Sequence, residues 1–456
     1  MAFVGEVFKI STVNLSKNSE GLVVNLFQNG TMNLIIGALL LNFNNRLFEG
    51  AQIRALSRLA SLLVGDFAIG SILDSLGNLL LLLDRTDAQY RWIVESPAPG
   101  IIYRESVFEP LQTGIISIDS MVPIGRGQRE LIVGDRQTGK TSIGVDTILN
   151  QKNEKVLSVY LPIGQKASSI FEVFLAMLRR DALNNLVLII SSASSSAVYQ
   201  FLCAYTGAAL SEFFMLVREL GCFIMLDDLS RHAVAYREIY LLLRRPPGRE
   251  AYPGEIFFVH SRLLERSAKL SVNLSGGSCT AFPLIETLAG DVSAYITTNV
   301  ISITDGQIFL SIDLFLAGVK PSIDVGLSVT RVGSTAQWDS MRLVSGFYKL
   351  ELAQFIELQT FSQFTADLGQ ETKERLNKGR RFVKLLKQPC GSPMNLILQI
   401  GILSLANQDM MNILAIDDIK SFLKYYLSIP IWTILFISVR LIAISIVLDI
   451  ITHFIT

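Results

Sequence analysis

Leu131-Ile132-Val133-Gly134-Asp135-Arg136-Gln137-Thr138-Gly139-Lys140-Thr141 decides the reading of this chain. An apolar run suited to a buried strand passes into the pattern GxxxxGK[ST], and residues 142–149 behind it read as a helix. Strand, glycine-rich turn and helix N-terminus together form a cradle for phosphate. Gly134 and Gly139 let the backbone curl so that successive N–H groups and the positive end of the helix face anionic oxygens. Lys140 then neutralises phosphate charge, and the Thr141 hydroxyl is placed to ligate the Mg²⁺ that accompanies a nucleoside triphosphate.

Outward from the loop, short apolar runs alternate with longer segments between residues 60 and 337, the mark of βα units around a mostly parallel sheet. The predicted strands are 130–133, 156–161, 186–190, 222–226 and 255–259, each a compact apolar run suited to burial on both faces. The run Phe223-Ile224-Met225-Leu226-Asp227-Asp228 ends in carboxylates. Asp227 is the candidate for reaching Mg²⁺, and Asp228 is its rival. Residues 1–59 are short apolar runs broken by turn residues such as Asn29-Gly30 and Gly50, which predicts a small all-β module. From residue 338 to the end at 456 the strand runs cease, and the charged stretch 349–387 predicts helices.

Hydrolysis needs a group that positions or deprotonates the attacking water. Gln165, in Ile163-Gly164-Gln165-Lys166 at the C-terminal end of a predicted strand, is the candidate. A neutral amide orients water but cannot accept its proton.

Bulk properties exclude several classes. The chain has 456 residues, too many for one ordinary core. Lys plus Arg total 40 and Asp plus Glu total 40, so no global field favours nucleic acid. Cys203, Cys222, Cys279 and Cys390 show no CxxC spacing, which fits a reducing compartment without structural zinc. His232, His260 and His453 have no ligand spacing and suggest no metal or triad role. Hydrophobic residues make up 50% of the chain and charged ones 18%, which fits apolar surfaces buried against partners, a segment in a membrane, or drift toward Leu, Ile and Phe without functional meaning, and composition does not separate the three. Tyr425 to Leu448 is long enough to cross a bilayer. However, Arg440 near its middle costs about 3 kcal/mol on insertion scales, so a helix packed on a partner is the preferred expectation.

Long runs resemble the alpha subunit of F-type ATP synthases, densely from residue 95 to 393. They include Glu95-Ser96-Pro97-Ala98-Pro99-Gly100, Pro123-Ile124-Gly125-Arg126-Gly127-Gln128-Arg129-Glu130, Leu241-Leu242-Leu243-Arg244-Arg245-Pro246-Pro247-Gly248-Arg249-Glu250 and Asn299-Val300-Ile301-Ser302-Ile303-Thr304-Asp305-Gly306-Gln307. The resemblance implies a small N-terminal β-barrel (1–59), a central RecA-like α/β P-loop domain (60–337) and a C-terminal α-helical domain (338–456). It implies ATP or ADP with Mg²⁺ held by Gly134, Asp135, Arg136, Gln137, Thr138, Gly139, Lys140, Thr141, Gln165 and Gln388, with Thr141 and Asp227 on the metal. The catalytic beta type carries a glutamate where Gln165 stands, so the family and the amide's chemistry both imply a non-hydrolysing site. Arg331, in Val329-Thr330-Arg331-Val332-Gly333, matches the family's arginine finger into a neighbouring site. Implied partners are alternating beta-type catalytic subunits, a rotating shaft faced by the proline-rich loop 245–254, and peripheral stalk subunits on an energy-transducing membrane.

Two positions depart from the family: Lys320 stands for an arginine and Cys390 for a glutamine. Lys lacks a planar stacking face and Cys lacks a paired donor and acceptor, so looser base recognition is expected. Ile118-Asp119-Ser120-Met121 and Gly207-Ala208-Ala209-Leu210 look plastid-like, and no transit peptide is visible in Met1 to Ile10. The stromal face of the thylakoid is the expected location, with the mitochondrial matrix face second. Two rivals stay open: a free-standing ATPase of the termination-factor helicase type, and a degenerate assembly scaffold.

Overall fold

The computed structural model describes residues 6–11, 19–28, 34–41, 52–81, 90–362, 369–407 and 418–428. The chain divides into two compact units. One comprises Met1–Glu105, Lys155–Ile285 and Val292–Thr304; the other comprises Ser106–Glu154, Glu286–Asp291 and Asp305–Thr456.

In the first unit, Glu6–Ser11, Ser19–Gln28, Leu34–Leu40 and Gln52–Leu59 form a four-stranded antiparallel sheet in the spatial order third, second, first, fourth. Val7 pairs with Leu22, and both are buried. The N-terminal region is therefore all-β, as its broken apolar runs predict. Ser61–Val64 and Tyr90–Ile93 add a separate antiparallel ribbon.

Each unit carries a mostly parallel set of strands. The first unit supplies Ser278–Glu286, Gly221–Asp227, Leu157–Gln165, Leu186–Ser192 and Ile72–Asp74, all parallel in that order, with Leu79–Leu81 antiparallel at the edge. The second unit supplies Glu130–Gly134, parallel to Gly306–Leu310, which is antiparallel to Ile323–Thr330. Strand Glu130–Gly134 is buried at every residue, as expected where helices cover both faces.

Ala197–Val217 is the one helix among the described residues long and apolar enough to cross a membrane. Every residue from Phe201 to Met215 is buried in the protein, however, and the helix packs on strands of its own unit. A helix apolar all round is a core helix.

Four of the five predicted strands are present, each longer than predicted. The fifth, 255–259, is instead part of the helix Ile256–Leu264. Its buried residues are Ile256, Val259, His260, Leu263 and Leu264, a helical stripe, while Phe257 and Phe258 face outward. A run of four apolar residues hid a 3.6-residue period that appears only when the next turn is included. The strand Ser278–Glu286 lacked a sequence signal for the opposite reason. It carries Pro283, a residue that argues against an internal strand, yet Pro283 lies opposite Leu226 in a parallel pair.

The C-terminal stretch is helical, comprising Asp339–Ser345, Tyr348–Ser362, Gln370–Leu385, Leu396–Asn407 and Ile419–Ser428. Tyr348 stacks on Phe382 with ring centroids 4.5 Å apart and planes 5° from parallel. Lys378 pairs with Glu351 at 3.2 Å and Arg375 with Glu371 at 2.8 Å, surface pairs each contributing about 0.2–1 kcal/mol. The apolar segment 425–448 begins inside the last helix, and residues 429–448 lie outside the described residues.

Candidate functional site

The phosphate loop lies in the second unit, between strand Glu130–Gly134 and helix Lys140–Glu154. Its two glycines are required for different reasons. Gly139 has φ +97°, and a Cβ there would meet nothing within 4 Å, so the left-handed backbone opens the concave side of the loop. A Cβ on Gly134 would come within 2.8 Å of both Leu310 Cβ and Thr138 Oγ1. Gly134 is thus a packing glycine, set by its pairing with Leu310 in the adjacent strand.

Lys140 Nζ donates to the carbonyls of Gly134 at 2.7 Å and Asp135 at 2.6 Å, placing an ammonium across the loop. A phosphate oxygen is a stronger partner for that ammonium than a neutral carbonyl. Thr138 Oγ1 donates to Asp135 O at 2.8 Å and closes the turn. Thr141 sits in the first helical turn, half-buried, with a hard oxygen suited to Mg²⁺. Open backbone, cation and helix N-terminus together fit a bound polyphosphate.

Asp135 and Arg136 do something the sequence did not indicate. Asp135 Oδ1 accepts from Thr287 Oγ1 at 2.7 Å and from the Gly290 N–H at 2.9 Å, and Arg136 pairs with Glu286. Both side chains tie the loop to a segment some 150 residues away, a pairing without a local signature.

Beside the loop is a cavity of about 280 Å³ lined by Gln137, Thr138, Gly139, Ser142 and Asp146 on one side. Ile115, Ile143, Phe315, Pro321 and Pro389 supply apolar wall, and Lys320, Gln388 and Cys390 complete it. The two positions that depart from the family thus meet in one place. Lys320 Nζ lies 4.5 Å from the centre of the Phe315 ring, a cation–π contact. Gln388 is 5% exposed, and its amide is held through both its nitrogen and its oxygen. Nε2 donates to Gly114 O at 2.8 Å and Ser392 O at 2.6 Å, while Oε1 accepts from the Ile116 N–H at 3.3 Å. Its side chain holds the cavity wall in shape.

In the first unit, strands Leu157–Gln165 and Gly221–Asp227 bring Gln165, Tyr160 and Asp227 together. Gln165 Nε2 donates to Asp227 Oδ1 at 3.2 Å, and Tyr160 OH donates to Oδ2 at 3.1 Å. Burial, and then the Asp227 charge, hold the Tyr160 phenol well above its usual range. Asp228, the rival carboxylate, is the N-cap of helix Leu229–Leu242, accepting from the Ser230 N–H at 2.8 Å. Asp227 is thus the strand-end carboxylate that Gln165 and Tyr160 meet, while Asp228 caps a helix.

Arg331 follows strand Ile323–Thr330, exposed, with its backbone N–H bonded to Asp305 O at 2.9 Å. Among the described residues its guanidinium has no ion-pair partner. The described residues contain no cluster of three or more groups able to hold a metal ion. His232 and His260 do meet, with Nδ1 and Nε2 3.4 Å apart, but burial lowers their pKa values to about 4 and about 3, so both stay neutral. His453 lies outside the described residues.

Residues 114–330 match the nucleotide-binding domain of the ATP synthase alpha/beta family, and residues 337–429 match the C terminal domain of the ATP synthase alpha/beta chain.

Proposed function

We propose that this chain, which belongs to the ATP synthase alpha/beta family, is the alpha-type, non-catalytic subunit of an F-type synthase head. The observation that carries the proposal is Gln165, whose amide donates to Asp227 where a hydrolytic site needs a group able to take a proton from water. The loop amides and Lys140 hold the phosphates of ATP or ADP. Thr141 and Asp227 are the hard-oxygen donors assigned to Mg²⁺, which when bound neutralises phosphate charge. With an amide at 165 the nucleotide is retained, and it stabilises the fold by mass action.

Arg331 would act in the site of a beta-type partner, lending positive charge to the transferring phosphoryl group, a contribution of about a thousandfold or more in rate for such fingers. Its exposure, and its lack of an ion pair among the described residues, support that role. The further partners are a rotating shaft and peripheral stalk subunits. The plastid-like runs support a location on the stromal face of the thylakoid, testable by fractionation of organelles.

ATPase assays decide the reading. The isolated chain should be inactive, its complex with a beta-type partner active, and that complex should lose activity on Arg331→Ala. Turnover by the isolated chain would overturn the proposal.

A further inference from the structure

We infer that Glu130 is a positioning residue for Arg331, acting as a neutral carboxylic acid, and that ionising it in alkaline solution loosens the strand on which Arg331 is presented. This rests on the reading of Arg331 as a group that works in a partner's site, and adds a pH dependence to it.

Three strands of the second unit place Glu130, Gly306 and Thr330 in one row, Glu130 opposite Gly306 in a parallel pair and Gly306 opposite Thr330 in an antiparallel one. The middle residue has no side chain, so the glutamate lies over its backbone. A Cβ on Gly306 would come within 2.5 Å of Glu130 Oε2, 2.8 Å of Oε1 and 2.6 Å of Val329 O. The carboxyl is thus wedged between a glycine and the strand that ends one residue before Arg331. Glu130 is fully buried, and among the described residues only Oε2 of its two oxygens has a donor, the Gln128 amide at 2.7 Å. The same Gln128 nitrogen holds the Thr330 hydroxyl at 2.8 Å.

A buried carboxylate is stable only with several donors or a cation beside it. Here one amide serves it. Burial is the larger cause that keeps the proton on Glu130, and Asp305, next to Gly306, adds like charge. Among the described residues no cation pairs with it. Arg129 is engaged with the Asp305 carboxylate, Lys349 donates to Ser328 O at 3.2 Å, and the Arg331 side chain is exposed. The neutral acid suits the site, since its O–H has carbonyl oxygen such as Val329 O to turn to while Oε2 still accepts from Gln128. Once ionised, the group needs further donors, and the nearest is the Gln128 hydrogen that holds Thr330. Drawing that hydrogen away, or admitting water over Gly306, detaches Thr330 and with it the backbone entering Arg331.

The test is kcat of the complex with a beta-type partner from about pH 6.5 to about pH 9.5, for the native chain and for Glu130→Gln, whose amide offers a donor and an acceptor without ionising. The ratio of variant to native rate should rise with pH by about tenfold, against about a hundredfold for a reacting group displaced by about 1 Å. In the Arg331→Ala complex the same ratio should stay flat. Asp305→Asn removes the neighbouring negative charge and should move the alkaline fall in rate to lower pH. A ratio independent of pH, or one that rises equally without Arg331, overturns the inference and leaves the arginine's role intact. An Arg331→Ala complex as fast as the native one overturns that role, and the inference with it. Should Glu130→Gln fail to fold, Asp305→Asn decides, and no shift or a shift to higher pH overturns the inference.

Discussion

Gln128 Nε2 donates to the Glu130 carboxyl at 2.7 Å and to the Thr330 hydroxyl at 2.8 Å, joining the strand that feeds the phosphate loop to the residue before Arg331. Gln128 Oε1 accepts from the Gly125 N–H at 2.9 Å, so the amide is held at both ends. Asp305 adds a second tether. Its carbonyl takes the Arg331 N–H, while its carboxylate is gripped by Arg129 Nε at 2.9 Å and Nη2 at 2.7 Å. The backbone that presents Arg331 is thus fixed although its side chain is free to reach outward.

Gln128→Leu should therefore lower the ATPase rate of the complex with a beta-type partner in the direction of Arg331→Ala but by less, about tenfold against about a thousandfold. The measurement is kcat of both complexes, with folding checked by circular dichroism. Equal rates for Gln128→Leu and the native complex, with Arg331→Ala impaired, would show that the tether is dispensable.

Burial, and secondarily the Asp305 charge, hold the Glu130 carboxyl well above its usual range, so the native state keeps a proton that the unfolded chain releases. Stability from this group is then full below the ordinary glutamate pKa and falls as pH rises through the native one. Glu130→Gln, an isosteric neutral group, should match the native chain near pH 4 and exceed it near pH 8. Thermal midpoints at the two values test this, and an equal difference at both would contradict it.

His232 and His260 titrate in the opposite sense. His232 Nε2 lies 3.2 Å from Phe201 O, and its Nδ1 faces His260 Nε2, a contact in which one ring nitrogen donates and the other, on a neutral ring, accepts. Their folded pKa values of about 4 and about 3 lie below the unfolded value, so stability is full above about pH 6.5 and is lost as pH falls toward those values. His260→Leu removes one titrating ring, and its midpoint should fall less between pH 7 and pH 4.5. Parallel melting curves would rule out the effect.

The Arg266–Glu212 ion pair, at 2.6 Å, is almost sealed from solvent, with side chains 1% and 5% exposed. Arg266 also donates to Val94 O at 2.7 Å, and Trp92 Nε1 donates to Glu212 at 3.3 Å. Arg266→Met strands a carboxylate in the core and should cost about 3–5 kcal/mol, whereas adding Glu212→Leu should recover much of the loss. Denaturant titration of the native, single and double variants measures both.

The phosphate loop was legible because its chemistry is local. Strand, glycines, cation and helix N-terminus occupy one stretch of chain, and the spacing alone places them. The charged helices after residue 338 and four central strands were legible for the same reason, since periodicity is a local property. The helix at Ile256–Leu264 was hidden by a window too short for its period, and the strand Ser278–Glu286 by a proline that its parallel partner tolerates.

The sequence by itself determined the scaffold and the nucleotide class, because those follow from residue type at fixed spacing. The tertiary structure decided which polar groups remain available. Gln388 carries an amide in the sequence, yet the fold engages both of its N–H groups and one position on its oxygen, while Asp135 and Arg136 are drawn to residues 286–290. A side chain's partners are set by what folding brings within about 3 Å of it, and sequence spacing does not carry that distance.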